Sequence, residues 1–196
     1  MMALAEAARD PSYPAEIVCV VSNRADAKGL DYAREHGIET RVIAHKDYVS
    51  REAFDRALND YLQSKRCHIV ACAGFMRVMT GAMTEPWHGR MLNIHPSLLP
   101  AYPGLDTHGR ALADGARVAG CTVHLVTGDL DGGPILAQAE VPVLEGDTPE
   151  TLAARVLRQE HRIYPLALAD LARRILVPIP PSPISPGCAA GRRRFR

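Results

Sequence analysis

No apolar run in the sequence approaches the roughly 20 residues that a membrane-spanning helix needs. The opening MMALAEAARD has neither a basic segment nor a long apolar one, which excludes a secretory signal there. Charge of either sign is not in excess, since 23 Lys and Arg stand against 22 Asp and Glu. Neither a nucleic-acid surface nor an acidic disordered protein is indicated. His36, His45, His68, His88, His108 and His161 have no HxxxH or HxH partner, so no metal constellation is expected, and no GxSxG nucleophile motif is present. Cys19, Cys67, Cys72, Cys121 and Cys188 are odd in number and fit no zinc spacing. Cys19 and Cys121 fall in apolar, strand-like runs, where a thiol behaves as a small hydrophobe. A disulfide framework is therefore not expected, and a reducing cytoplasm is the simplest location. What remains is 196 residues, 47% hydrophobic: the size and apolar content of one globular domain with a tail.

Strands and helices alternate along that domain. Ile17 to Val21 is short and β-branched and reads as a buried strand. Ala27 to His36 reads as a helix stopped by Gly37. A weaker strand follows over Thr40 to Ala44, and Ser50 is a good N-cap for a helix through Gln63. His68 to Ala73, Met91 to Ile94, Ala119 to Val126 and Ile135 to Val143 read as further strands. Thr107 to Asp114 reads as a helix, and Pro149 opens a long helical stretch that Pro165 should kink or divide. Such alternation predicts an α/β fold with a mostly parallel sheet covered on both faces, with ligands at the strands' carboxyl ends. From Val177 the composition changes: five prolines fall between Pro178 and Pro186, and the end is Arg192-Arg193-Arg194-Phe195-Arg196. Residues 177–196 read as a disordered, solvated Pro/Arg-rich tail behind a domain over residues 1–176.

Three segments carry chemistry. In Leu92-Asn93-Ile94-His95-Pro96, Asn93 and His95 are two apart on a strand and leave the same face. An amide N–H stabilises a developing oxyanion, and an imidazole moves a proton near neutral pH. A strand edge with a turn-forming Asn93 and a half-buried His95 fits the spacing equally well. In Asp129-Leu130-Asp131-Gly132-Gly133-Pro134 a tight loop holds a carboxylate able to pair with an imidazole, although a solvated Asp-Gly turn has the same signature. In Ala73 to Met79, Gly74 lets a ligand approach the backbone, and Phe75, Met76, Val78 and Met79 offer an apolar wall for a flat heterocycle. Core packing is the rival reading there, for Val78 above all. His124 faces either the site or solvent.

Together these segments resemble the phosphoribosylglycinamide formyltransferase family (the glycinamide ribonucleotide transformylases), which is folate-dependent. The matching pieces are SNRADAKGLDYAREHGI (22–38), SREAFDRAL (50–58), AGFMRVM (73–79), LNIHPSLLPAYPGLDTH (92–108), GDLDGGPIL (128–136) and QEHRIYPLAL (159–168), in the family's order over residues 12 to 175. The resemblance implies a three-layer, Rossmann-like formyltransferase fold. It implies formyl transfer from 10-formyltetrahydrofolate, a co-substrate, to phosphoribosylglycinamide in purine (IMP) synthesis, with no metal. Asn93 then holds the formyl oxygen and His95 is the proton donor. Asp131 raises the pKa of His95 and orders water. Arg51, Met76, Arg77, Val78 and Met79, with Asn93, line the folate site, and Gly74, Pro96 and Glu160 the ribonucleotide site. The partners implied are small molecules only, in a cytoplasmic monomer or homodimer without nucleic acid or membrane.

The family opens with a strand and a glycine-rich phosphate loop, whereas the first glycine here is Gly29. The first strand and phosphate loop are therefore expected to be missing, which opens the sheet's centre and leaves the chain inactive or nearly so. Two rivals share the fold. Methionyl-tRNA formyltransferase usually adds a C-terminal RNA-binding domain, for which about twenty residues after Ile175 are too few. Formyltetrahydrofolate deformylase usually adds an N-terminal regulatory domain. A third rival, a remnant that binds folate without transferring a formyl group, separates from the enzyme only by experiment.

Overall fold

The computed structural model describes residues 1–176, so the predicted tail over 177–196, with Cys188, lies outside the described residues. Helix α1 (Met2–Ala7) precedes β1 (Cys19–Ser22), α2 (Lys28–Glu35) and β2 (Glu39–Val42). Gly37 follows α2 at φ +71°, the left-handed conformation in which helices commonly end. A 3-10 turn (His45–Asp47) leads to α3 (Arg51–Ser64), whose start is capped as expected: the Ser50 Oγ accepts the Ala53 N–H at 3.1 Å. Then come β3 (Val70–Cys72), the short α4 (Gly81–Thr84), β4 (Met91–His95), α5 (Thr107–Ala113), β5 (Val118–Leu125), β6 (Ile135–Pro142) and α6 (Pro149–Leu176). Helix α6 runs unbroken through Pro165, about 42 Å at 1.5 Å per residue. The expected division at Pro165 does not occur; its carbonyl accepts the Tyr13 hydroxyl at 2.7 Å.

Strands β1 and β2 pair in parallel, as do β3 and β4, which is the pattern that strand–helix alternation predicts. Strands β5 and β6 extend the sheet antiparallel, in the order β3-β4-β5-β6. Hydrophobic spacing carries no information on strand direction, and the loop from β5 to β6 is short enough to return the chain as a hairpin. β1 and β3 share no ladder, and a cavity of about 930 Å³ lies between them.

Two cores hold the elements. Leu92, Cys121, Val123, Leu152, Val156, Tyr164 and Leu168 pack α6 onto one face of β4 and β5. Phe54, Leu58, Leu62, Cys72, Met83, Trp87 and Met91 pack α3 and α4 onto the other side of β3 and β4. Each fully buried aliphatic or aromatic side chain contributes about 1.5–3 kcal/mol relative to exposure.

A buried hydroxyl ties α6 to the parallel pair. Tyr164 is 4% exposed, and its Oη donates to the Cys72 carbonyl at 2.6 Å, with the Leu92 carbonyl at 3.1 Å. Burial pushes this phenol well above its ordinary pKa, so it stays a donor. Tyr164→Phe should cost about 1–3 kcal/mol, because two buried carbonyls lose their partner. Urea unfolding checks this: the midpoint should fall at unchanged m, and an unmoved midpoint contradicts the role.

Candidate active site

Alternation along β4 puts Asn93 and His95 on one face and sends Leu92 into the α6 core. The antiparallel register sets Asn93 opposite His124 and His95 opposite Thr122. Four polar side chains therefore share one face in two cross-strand pairs. His124, which the sequence leaves between site and solvent, is 3% exposed and lies on this face. The β5–β6 register shifts between Val123 and His124, a local irregularity of the kind that re-aims side chains beside active sites.

Two loops cover the face. Thr122 Oγ1 donates to the Ser97 carbonyl at 2.7 Å and accepts the Leu99 N–H at 3.0 Å, which fixes the loop after β4. Gln138 Nε2 donates to both Thr122 Oγ1 and the Leu99 carbonyl at 2.9 Å. The loop after β5 carries Asp131 at φ +51°, a conformation that Asp enters more readily than most residues. A Cβ on Gly133 would stand 1.8 Å from the Leu125 carbonyl oxygen, so only glycine lets this loop close onto β5.

The carboxylate of Asp131, with its side chain 9% exposed, is the hub. Oδ2 accepts the Gly104 N–H at 2.9 Å and lies 3.5 Å from His95 Nδ1. Oδ1 lies 3.6 Å from His124 Nε2. His95 Nε2 meets the Tyr102 carbonyl at 3.0 Å and must carry a proton there. Both of its ring nitrogens thus face oxygen acceptors.

His124 stands opposite Asn93 on β5. Burial holds its pKa below the usual imidazole range and His95 lowers it further, against opposing pulls from the Leu125 carbonyl and Asp131. Its Nδ1 meets the Leu125 carbonyl at 3.0 Å and carries the proton, so Nε2 is an acceptor. It takes an N–H from Asn93 Nδ2 at 3.4 Å. That contact orients the Asn93 amide and leaves its second N–H free for a ligand oxygen.

The structure thus brings Asn93, His95 and Asp131 together, with His124 as the joint that spacing alone does not assign. The 73–80 loop is fixed separately: buried Asp55 on α3 accepts the Thr80 N–H at 2.6 Å and hydroxyl at 2.8 Å. Phe75 and Met79 pack into the α3 core, whereas Met76 and Val78 are 74% and 50% exposed. Core packing, expected of Val78 above all, instead falls to its neighbours. The Arg77 guanidinium lies 5.7 Å from the Phe54 ring centroid, and its buried Nε has no hydrogen-bond partner. Arg51 is exposed at the start of the same helix, α3. Gly74, at φ +71°, lines the cavity between β1 and β3, and Pro96 lines a smaller one of about 230 Å³ behind His108. Glu160 is not brought to the trio. It lies on α6, over the opposite sheet face, where its charge reaches Cys121 and burial raises its pKa. The large cavity also excludes Asn93, His95 and Asp131, because it is the gap between two unpaired strand edges rather than the polar face of β4.

A half-buried amide and two buried imidazoles beside one carboxylate form a polar cluster at the carboxyl end of a strand in an α/β sheet, where ligands collect in such folds. Residues 1–168 match the family described as "Formyl transferase". The chain belongs to the formyl transferase family. The phosphoribosylglycinamide formyltransferase of Escherichia coli (strain K12) is 45% identical over 172 residues, covering 88% of this chain and 81% of that protein. The trifunctional purine biosynthetic protein adenosine-3 of Bos taurus is 50% identical over 172 residues, and the chain spans only 17% of its length. The crystal structure of phosphoribosylglycinamide formyltransferase from Brucella melitensis superposes with a TM-score of 0.83 at 56% identity, covering 87% of this chain and 88% of that one. These neighbours carry the Rossmann-like formyltransferase fold that the sequence resemblance implies. No helix among the described residues is long and apolar enough to cross a membrane.

The two depressed histidines make stability depend on pH. Burial lowers His108 as well, outweighing Asp106, which raises it. As pH falls through the unfolded value near about 6.5 the unfolded chain takes up these protons first, so stability falls. Above that value the native state keeps its full contribution. Thermal midpoints should therefore drop between pH 7 and 5, and by less in His124→Gln. An equal drop in the variant would remove His124 from this account.

Proposed function

We propose that the chain transfers a formyl group from 10-formyltetrahydrofolate to the amino group of phosphoribosylglycinamide, a step of purine (IMP) biosynthesis. The observation that carries this reading is the Asn93–His124–Asp131–His95 cluster, one largely buried polar unit with a free amide N–H and an imidazole beside a carboxylate. The names of the Escherichia coli and Brucella melitensis relatives support phosphoribosylglycinamide as the formyl acceptor.

The glycinamide nitrogen attacks the formyl carbon, a C–N bond forms, and the carbonyl electron pair moves onto oxygen. The free N–H of Asn93 receives that oxyanion, joined by the Nε2–H of His95 as it turns from the Tyr102 carbonyl. The attacking nitrogen, now positively charged, gives a proton to a water molecule beside Asp131. The bond from the formyl carbon to the folate nitrogen then breaks, and that nitrogen takes a proton from His95. An oxyanion donor is worth about 10² to 10³ in kcat and a positioned acid about 10² to 10⁴. Asp131 offsets the imidazolium charge and, through Gly104, holds the loop that closes the site.

The folate lies against the outward side of the 73–80 loop. Met76 and Val78 present exposed apolar surface to its ring, with Met79 and Arg77 behind them. Arg51, on the helix that anchors this loop, meets the glutamate tail. Gly74, Pro96 and Glu160 border the ribonucleotide; Glu160 lies within reach of the Met1 amino group, beside the cavity that Gly74 lines. The free thiols among the described residues suit a cytoplasmic location.

Formyl transfer and folate binding should be measured separately. His95→Ala should lose about 10² to 10⁴ in kcat with folate affinity retained. Met76→Asp should weaken folate binding at least about tenfold, since it places a charge on the apolar wall. A wild-type chain that binds the folate but transfers nothing would reduce the reading to a binding module. Folate affinity unchanged by Met76→Asp would move the donor site elsewhere.

A further inference from the structure

We propose that Cys19 and Cys67 form a redox-sensitive dithiol site that closes to a disulfide across the gap between β1 and β3. Their sulfurs lie 3.9 Å apart although the residues are 48 apart in sequence. Cys19 stands on β1, and Cys67 follows the turn at Arg66 (φ +56°) that ends α3 and leads into β3. Both thiols are half-buried and line the cavity of about 930 Å³ between those strands, so a small reagent reaches them through it.

The other described cysteines differ. Cys72 and Cys121 are buried in the two cores, and burial pushes each thiol up to about 12. The contact with Cys19 instead brings Cys67 down to about 7, against the opposing effect of burial. Cys19 is pushed up, first by the same contact, then by burial and by the charges of Cys67 and Glu39. Lys65 opposes that rise only in part, since it is itself paired with Glu39, which also accepts the Tyr61 hydroxyl. The pair thus holds one attacking thiolate beside one protonated thiol. Once Cys67 is covalently bonded its charge is gone, and the first cause that raises Cys19 goes with it.

The chemistry is thiol–disulfide exchange with a low-molecular-weight disulfide. The Cys67 thiolate attacks one sulfur of that disulfide, forming a mixed disulfide and releasing one small thiolate. Cys19 loses its proton to water and attacks the Cys67 sulfur, which forms the Cys19–Cys67 bond and releases the second. Two protein thiols give up two electrons and two protons, and the small disulfide is reduced to two thiols. The bond ties β1 to the approach to β3, where no backbone ladder joins the two sheets.

The full chain should be incubated with oxidised glutathione at pH 7 and mapped without reductant. A peptide linking Cys19 to Cys67 is expected. Closing a loop of this length should raise the thermal midpoint by about 5–10 °C, reversibly with reduced glutathione. Cys19→Ser should trap glutathione on Cys67, whereas Cys67→Ser should leave Cys19 largely unmodified; Cys19→Ala and Cys67→Ala replace either variant that fails to fold by circular dichroism. Links to other cysteines, a stable glutathione adduct on wild-type Cys67, or no reaction would each overturn the proposal. None of these readouts depends on formyl transfer.

Discussion

A carboxylate buried between two imidazoles is the constraint on which the rest of the site depends. Asp131 keeps its side chain only 9% exposed while its oxygens lie 3.5 Å from His95 and 3.6 Å from His124. A buried charge is costly unless paired and hydrogen-bonded, so every partner of this carboxylate must be held in place. The Gly104 N–H supplies the direct hydrogen bond, and with it the 102–106 loop becomes part of the same unit. The backbone bears the complementary cost: Asp131 takes a positive φ, and Gly133 must lack a Cβ for the loop to lie against Leu125.

The sheet makes this arrangement affordable. One face of β4 and β5 is apolar and packed under α6, which contributes the burial that stabilises the domain. The other face carries Met91 into the α3 core and then, from Asn93 onward, the polar pairs, since strand alternation keeps them apart from the α6 side. Its polar groups are then nearly all satisfied locally. Thr122 and Gln138 hold the loop after β4, His124 holds the Asn93 amide, and Tyr102 holds the outer nitrogen of His95. The 73–80 loop is stabilised independently through Asp55, so this loop and the polar cluster rest on different anchors.

Much of this was legible in the sequence for reasons of period and stereochemistry. The i, i+2 spacing placed Asn93 and His95 on one face, and the Asp-Gly-Gly loop marked a carboxylate in a tight turn. The Ser50 cap and the Gly37 stop were read from local rules that hold in the structure. Register and strand direction were not legible, because pairing depends on distant chain segments. Hence His124 was left between two faces, and the antiparallel run of β5 and β6 was not foreseen. The inward turn of Phe75 and Met79 beside outward Met76 and Val78 likewise depends on how α3 packs. The approach of Cys19 to Cys67 is a tertiary fact of the same kind.

The central claim is that His95 and Asp131 act as one device rather than as two separate contributors. The most direct test is a double-mutant cycle on kcat with His95→Ala, Asp131→Asn and the double variant, each checked for native folding. Residues that act as a unit give strongly non-additive losses. The double variant should be about as slow as the slower single variant. Losses that multiply would mean that the two side chains act independently and would contradict the account.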